Sequence, residues 1–132
     1  MALVVPDVAE IILLKYIINQ KQPDDRILHL YTNNYVPSDS TTLANLTEAD
    51  PATGYQSQVL NGATWSVTQT AGVTTATYPD VTFSFTTAVT IVGYYVTTLS
   101  NSLLWVEIFS NGPFALPAGG GQLAVTPTLT LD

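Results

Sequence analysis

Residues 89–109 read VTIVGYYVTTLSNSLLWVEIF. Val89–Thr98 is β-branched and aromatic, which suits an extended pleated strand better than a helix. Ser100-Asn101 is a turn signal, and Leu103–Phe109 is a second apolar run. Two such runs joined by a short polar turn predict an antiparallel pair. Gly93 inside the first run marks a bulge or a close backbone approach. Alternation puts Tyr94 and Tyr95 on opposite faces, so one of them is expected to meet solvent or a neighbour. It also groups Glu107 with Trp105 and Phe109, opposite Val106 and Ile108.

The same pattern continues outward. Val81–Phe85 alternates, with Val81, Phe83 and Phe85 together. Val73–Tyr78 and Thr64–Thr70 flank Gly72, and Tyr55–Leu60 precedes Asn61-Gly62, a strong turn signal. Arg26–Asn33 carries Ile27, His29 and Tyr31 on one side and Leu28 and Leu30 on the other, so it is expected to be buried on both faces. Gln122–Leu131 is a last strand interrupted by Pro127, which implies an edge, a bulge or an exit from the sheet. Before all of these, Asp7 and Glu10 have the spacing of a helix start, and Pro23 bars continuation. The pattern predicts a helix over 8–19, with Ile11, Leu14 and Ile18 on one face and Ile12 and Tyr16 beside it. A helix this short must dock to persist. The expected fold is mainly β: an antiparallel β-sandwich or small barrel of seven to eight strands with one N-terminal helix.

The chain has 132 residues, which suits one domain. Residues 1–6 read as an N-terminal arm and 7–132 as a single β-rich domain, with a long loop at 34–54 and a short turn around Leu43–Leu46. A loop of that length in a small domain is often functional. Cysteine is absent, which excludes disulfides and thiolate chemistry. Three basic residues against ten acidic ones leave no electrostatic hold on nucleic acid or anionic lipid. No apolar stretch is long enough to span a membrane as a helix, and the start lacks a basic n-region, so no signal peptide is expected. Only 10% of residues are charged, against about 25% in ordinary domains. Threonine, with 20 residues, takes much of their place.

Chemical motifs are sparse. His29 is the only histidine, so any histidine-based dyad must use it, and no G-x-S-x-G elbow accompanies it. In a strand between leucines it reads as structural or interfacial. Asp24-Asp25 reads as a turn or cap, and Glu107 as a structural or assembly residue. Asp39, Glu48 and Asp50 could offer oxygens to a hard cation, but the EF-hand spacing is absent. Gly119–Gly121 lacks the lysine and helix of a phosphate loop and reads as a mobile hairpin tip. No catalytic residue, metal site or cofactor is expected. The aromatic residues suit core and interface packing, or stacking on sugar rings if a row of them is exposed. An uncharged surface avoids the desolvation cost of burying ions against a partner.

Three stretches carry a resemblance. They are VVPDVAEIILLKYIINQKQPDDRILHLYTNNYVPSDS (4–40), GYQSQVLNGATWSV (54–67) and VGYYVTTLSNSLLWVEIFSNGPFALPAGGGQLAVTPTLTLD (92–132). Together they resemble small virion structural proteins of tailed bacteriophages and cyanophages, of the capsid cement (decoration) type. The resemblance implies a non-enzymatic protein on the outer surface of the capsid, often a homotrimer, bound across joints between major capsid protein subunits. Its partners would be the major capsid protein and other copies of itself, without direct contact to nucleic acid or membrane. The contact candidates are Leu3, Val4 and Val5 of the arm, Tyr35, Leu43 and Leu46 of the long loop, and Phe114 and Leu116. Competing expectations are a tail-associated virion protein and a carbohydrate-binding β-sandwich module using exposed Tyr and Trp.

Overall fold

The computed structural model describes residues 3–131. The fold is mainly β, with one α-helix and antiparallel strands throughout, and its sheets do not close into a barrel. The strands are β1 (Leu3–Val4), β2 (Arg26–Tyr31), β3 (Gln58–Leu60), β4 (Ser66–Thr70), β5 (Val73–Thr77), β6 (Val81–Phe85), β7 (Val89–Ile91), β8 (Gly93–Thr98), β9 (Leu103–Ile108), β10 (Phe114–Leu116), β11 (Gly121–Val125) and β12 (Thr128–Leu131). The helix, α1, spans Asp7–Ile17.

Twelve strands arise from the eight expected runs for local reasons. Val89–Thr98 divides at Val92, because β7 pairs with β10 while β8 lies between β2 and β9. Gln122–Leu131 divides at Pro127, which has no N–H to give a ladder; β11 pairs with β6 and β12 with β5. Leu3–Val4 adds a short edge on β9, and Phe114–Leu116 adds another strand.

The central sheet has the order β1-β9-β8-β2-β3 and is covered on both faces. Leu28, Leu30, Tyr94, Val96, Leu104 and Trp105 join Tyr55, Phe83, Phe85, Ile91 and Val125 in the larger core. Tyr31, Val92, Tyr95, Leu103 and Val106 form a second core with Leu46. β2 is therefore buried on both faces, as its two-sided apolar pattern predicts. The same layering corrects the expectation for Tyr94 and Tyr95. They do point apart, but each enters a different core, and neither reaches solvent. A register shift between Val96 and Thr97 lets Trp105 face Val96 while Leu103 faces Thr97. Leu104 is thus an extra residue in β9.

The long 34–54 loop is folded rather than free. It contains two 3-10 turns, Leu43–Asn45 and Pro51–Thr53. The Asn33 side chain donates to the Asn45 carbonyl and accepts from the Thr47 N–H. Thr32 N–H bonds the Thr47 carbonyl and Ala49 N–H bonds the Leu30 carbonyl, so residues 47–49 extend the sheet beside the end of β2. Gly119–Gly121 likewise sits in a defined turn, with Gly120 N–H on the Pro117 carbonyl, rather than at a loose tip.

β4 and β5 meet at Ala71-Gly72, both with positive φ (52° and 83°). That is the backbone of a type I′ hairpin turn. Alanine is strained there, because its Cβ crowds the carbonyl. Ala71→Gly is expected to stabilise the hairpin by about 1 kcal/mol, read as a rise in the urea midpoint. No gain would mean that the turn relaxes to another conformation.

Candidate interaction surfaces and a buried polar tie

The one histidine is built into a connected set of side chains. His29 in β2 places Nδ1 2.8 Å from Glu48 Oε2 and Nε2 2.9 Å from Thr97 Oγ1. The same Glu48 oxygen accepts from the Tyr55 hydroxyl at 2.7 Å, and Tyr55 in turn accepts the Leu30 N–H. The Tyr95 ring stacks on the imidazole at 4.6 Å between centroids. In the neutral ring, these partners assign the proton to Nδ1 and leave Nε2 to accept from Thr97.

Carboxylate, imidazole and hydroxyl in this order are the parts of a nucleophile relay. A relay needs a hydroxyl that substrate can reach. Thr97 is completely buried inside β8. The arrangement therefore works as a tie: it fastens residue 48 of the loop to two central strands and satisfies both nitrogens of a buried ring. Glu48 also borders an open concavity of about 820 Å³ with Asp50 and Tyr55. Asp50 is engaged in capping the Ala52 N–H, and the Asp39 carbonyl accepts the Asp7 N–H. Among the described residues, no group of three or more His, Asp or Glu side chains is arranged to hold a metal. Glu107 is half-buried in β9, opposite Leu3 and Tyr94.

Four buried phenols are held neutral, three of them beside these carboxylates. Burial, with Tyr35 a smaller contributor, raises Tyr31 from 10.0 to about 12. Tyr55, Tyr94 and Tyr95 are also raised, first by burial and then by carboxylates, Glu48 for Tyr55 and Tyr95 and Glu107 for Tyr94. A phenol with a raised native pKa contributes stability that is complete below its unfolded value and lost as pH climbs through the native one. Stability is thus expected to hold up to about pH 10 and then fall steeply. Circular dichroism and the tyrosinate absorbance of these four rings should change together in one alkaline transition. Ionisation of these four rings near pH 10 with the fold intact would contradict their burial.

The contact candidates sit closer to the core than their sequence context suggests. Met1 and Ala2 of the expected arm lie outside the described residues. Leu3 and Val4 pair with Glu107 and Val106. Leu3 and Val5 pack on the larger core, Val4 on the second. The described part of the arm thus lies on the chain's own sheet. Leu46 is buried and is a core residue, which removes it as a contact residue; the apolar spacing that made it a candidate serves the second core. Tyr35 and Leu43 are half-buried against that core. Phe114 packs edge-on against Phe109 at 5.2 Å, and Leu116 covers the larger core.

The exposed apolar groups lie elsewhere. The α1 helix turns Ala9, Ile12, Leu13 and Tyr16 inward and leaves Val8, Ile11, Leu14, Ile17 and Ile18 41–78% exposed. The face carrying Ile11, Leu14 and Ile18 is therefore the outward one, opposite to the docking face that their spacing suggests. The inward residues are also apolar, so the helix has two faces fit for burial and the domain covers one. A hollow between Val8, Ile12, Leu43 and Leu103 continues the outward face towards the long loop. By contrast, every one of the 13 Phe, Tyr and Trp residues is buried or half-buried. A sugar-stacking row of open rings is not present among the described residues.

The chain matches no protein-family model, no curated protein and no solved structure.

Proposed function

We propose that this chain is a non-enzymatic virion structural protein of the capsid cement type. In this reading it sits on the outer surface of the shell and binds across joints between major capsid protein subunits. The reading rests on the sequence resemblance in three stretches and on one structural observation, the uncovered apolar face of α1. Five aliphatic side chains on one exposed helix form the kind of patch that marks a protein interface. The helix carries three charged groups, Asp7, Glu10 and Lys15, so docking has to leave them hydrated at the rim or pair them with charges of the partner. Added interface of about 1,600 Å² per contact, repeated around a shell, would resist pressure from within.

Electron cryomicroscopy of the particle that carries this chain tests the reading. The expected map has one 14.1 kDa density per copy, outside the shell at subunit joints, with α1 against a capsid subunit. Copies on the tail would replace the cement role by a tail-associated one. Particles without the chain would overturn the reading.

A further inference from the structure

We infer that the β4 edge of the β4–β5 hairpin is a pairing site for a second copy of this chain, joined antiparallel across a two-fold axis. β4 is bonded to β5 along its whole length, from Ser66 opposite Thr77 to Thr70 opposite Val73. Its other side has no strand partner among the described residues, and β4 ends the order β12-β5-β4. All five β4 residues are exposed, so the strand stands clear of the body on both faces. Val67 is 67% exposed.

Edges of this kind are usually blunted by charge, proline, a bulge or short length. Among the other edges of the two larger sheets, β1 has two residues, β3 three, and β12 follows Pro127. β4 has none of these protections: its register against β5 is regular, and no charged residue occurs between Asp50 and Asp80. An open row of N–H and C=O groups accepts only another extended strand.

The hairpin geometry states which groups are open. A two-residue I′ turn makes its flanking pair, Thr70 and Val73, a doubly hydrogen-bonded one. Counting back, Thr68 and Ser66 also spend their backbone groups on β5. Val67 and Gln69 therefore direct theirs outward. A second β4 centred on Thr68 meets this pattern: Val67 of each copy faces Gln69 of the other, and the two Thr68 residues face each other. Each Val67–Gln69 pair exchanges two backbone hydrogen bonds, four in all by this count.

Charge favours a second copy at this place. With a formal charge of −7, two copies repel wherever carboxylates approach, and the hairpin brings none of its own. With β12 of each copy, the paired hairpins form one continuous six-stranded sheet. Because the contact is isologous it uses up the β4 edge and closes. It does not rest on the capsid reading, and it would serve equally to link neighbouring trimers.

Sedimentation equilibrium of the full chain up to its highest soluble concentration tests this. A dimer of twice 14.1 kDa is expected, with concentration-dependent protection of the Val67 and Gln69 amides from hydrogen exchange. Val67→Lys, at a site open on both faces, should leave the circular dichroism unchanged and weaken the dimer at least about tenfold. Adding Gln69→Glu should restore it, because position 67 of one copy faces position 69 of the other. A monomer at every concentration overturns the inference. So does a dimer indifferent to Val67→Lys, which places the contact elsewhere, or a loss that Gln69→Glu leaves unrepaired.

Discussion

Replacing Gly93 with alanine is expected to destabilise the protein by about 3 kcal/mol or more. Gly93 opens β8 where the chain leaves one sheet for another. It sits between Tyr31 of β2 and Ile108 of β9. A methyl group there would strike the Glu107 carbonyl oxygen and come within 2.5 Å of Tyr31 Cε1 and 2.7 Å of its hydroxyl. The carbonyl belongs to the neighbouring strand and cannot swing aside. The Tyr31 ring is fully buried, with its hydroxyl bonded to the Tyr35 carbonyl. Relief would require strand separation or expulsion of a core ring, so both cores are strained at once. Urea unfolding of Gly93→Ala measures the loss. Gly119→Ala is the control: a methyl there meets nothing within 4 Å, and its effect should stay within about 0.5 kcal/mol. Equal stability of the two variants would show that Tyr31 does not lie over Gly93.

That close approach is legible in the sequence, because a lone glycine in an otherwise branched and aromatic strand has few other uses. So is β6, whose alternation of Val81, Phe83 and Phe85 leaves a single register with the aromatic side inward. The helix shows where such reading stops. Ile11, Leu14 and Ile18 satisfy the helical period, but so do Ala9, Ile12, Leu13 and Tyr16. Period alone cannot choose between two apolar stripes, and the choice is made by the surface of β9 on which α1 lies. Leu46 enters the second core for a related reason. Apolar residues in loops, such as Leu46, attract attention when the loop is imagined free. In this fold the loop is drawn back onto β2, and its apolar side chains complete a core. Glu48 was visible only as one of several loop acids. Its partner lies nineteen residues away, and no local spacing joins them. The available signal was chemical: a histidine in a strand buried on both faces needs partners for both nitrogens.

Removing that partner has a calculable consequence. Glu48→Ala is expected to cost about 3 kcal/mol, because two groups lose their acceptor together and each unmet buried group costs roughly 1–3 kcal/mol. The groups are His29 Nδ1–H and the Tyr55 hydroxyl, both on buried residues. Water can repair the loss only in part, since Glu48 itself reaches solvent but the ring and phenol beneath it do not. Glu48→Gln should cost only about 1 kcal/mol, since one amide oxygen can accept both bonds while losing the charge that strengthens them. Tyr55→Phe strands the Leu30 N–H, which the phenol accepts at 3.1 Å in the middle of β2. Glu48→Ala and Tyr55→Phe therefore share a bond, and the double variant should lose less than the sum of the singles by about 1 kcal/mol. Urea unfolding of the four proteins measures the cycle. Strict additivity, or a Glu48→Ala cost below about 0.5 kcal/mol, would reduce the tie to a surface contact and leave the fastening of the long loop to its backbone bonds at Thr32 and Ala49.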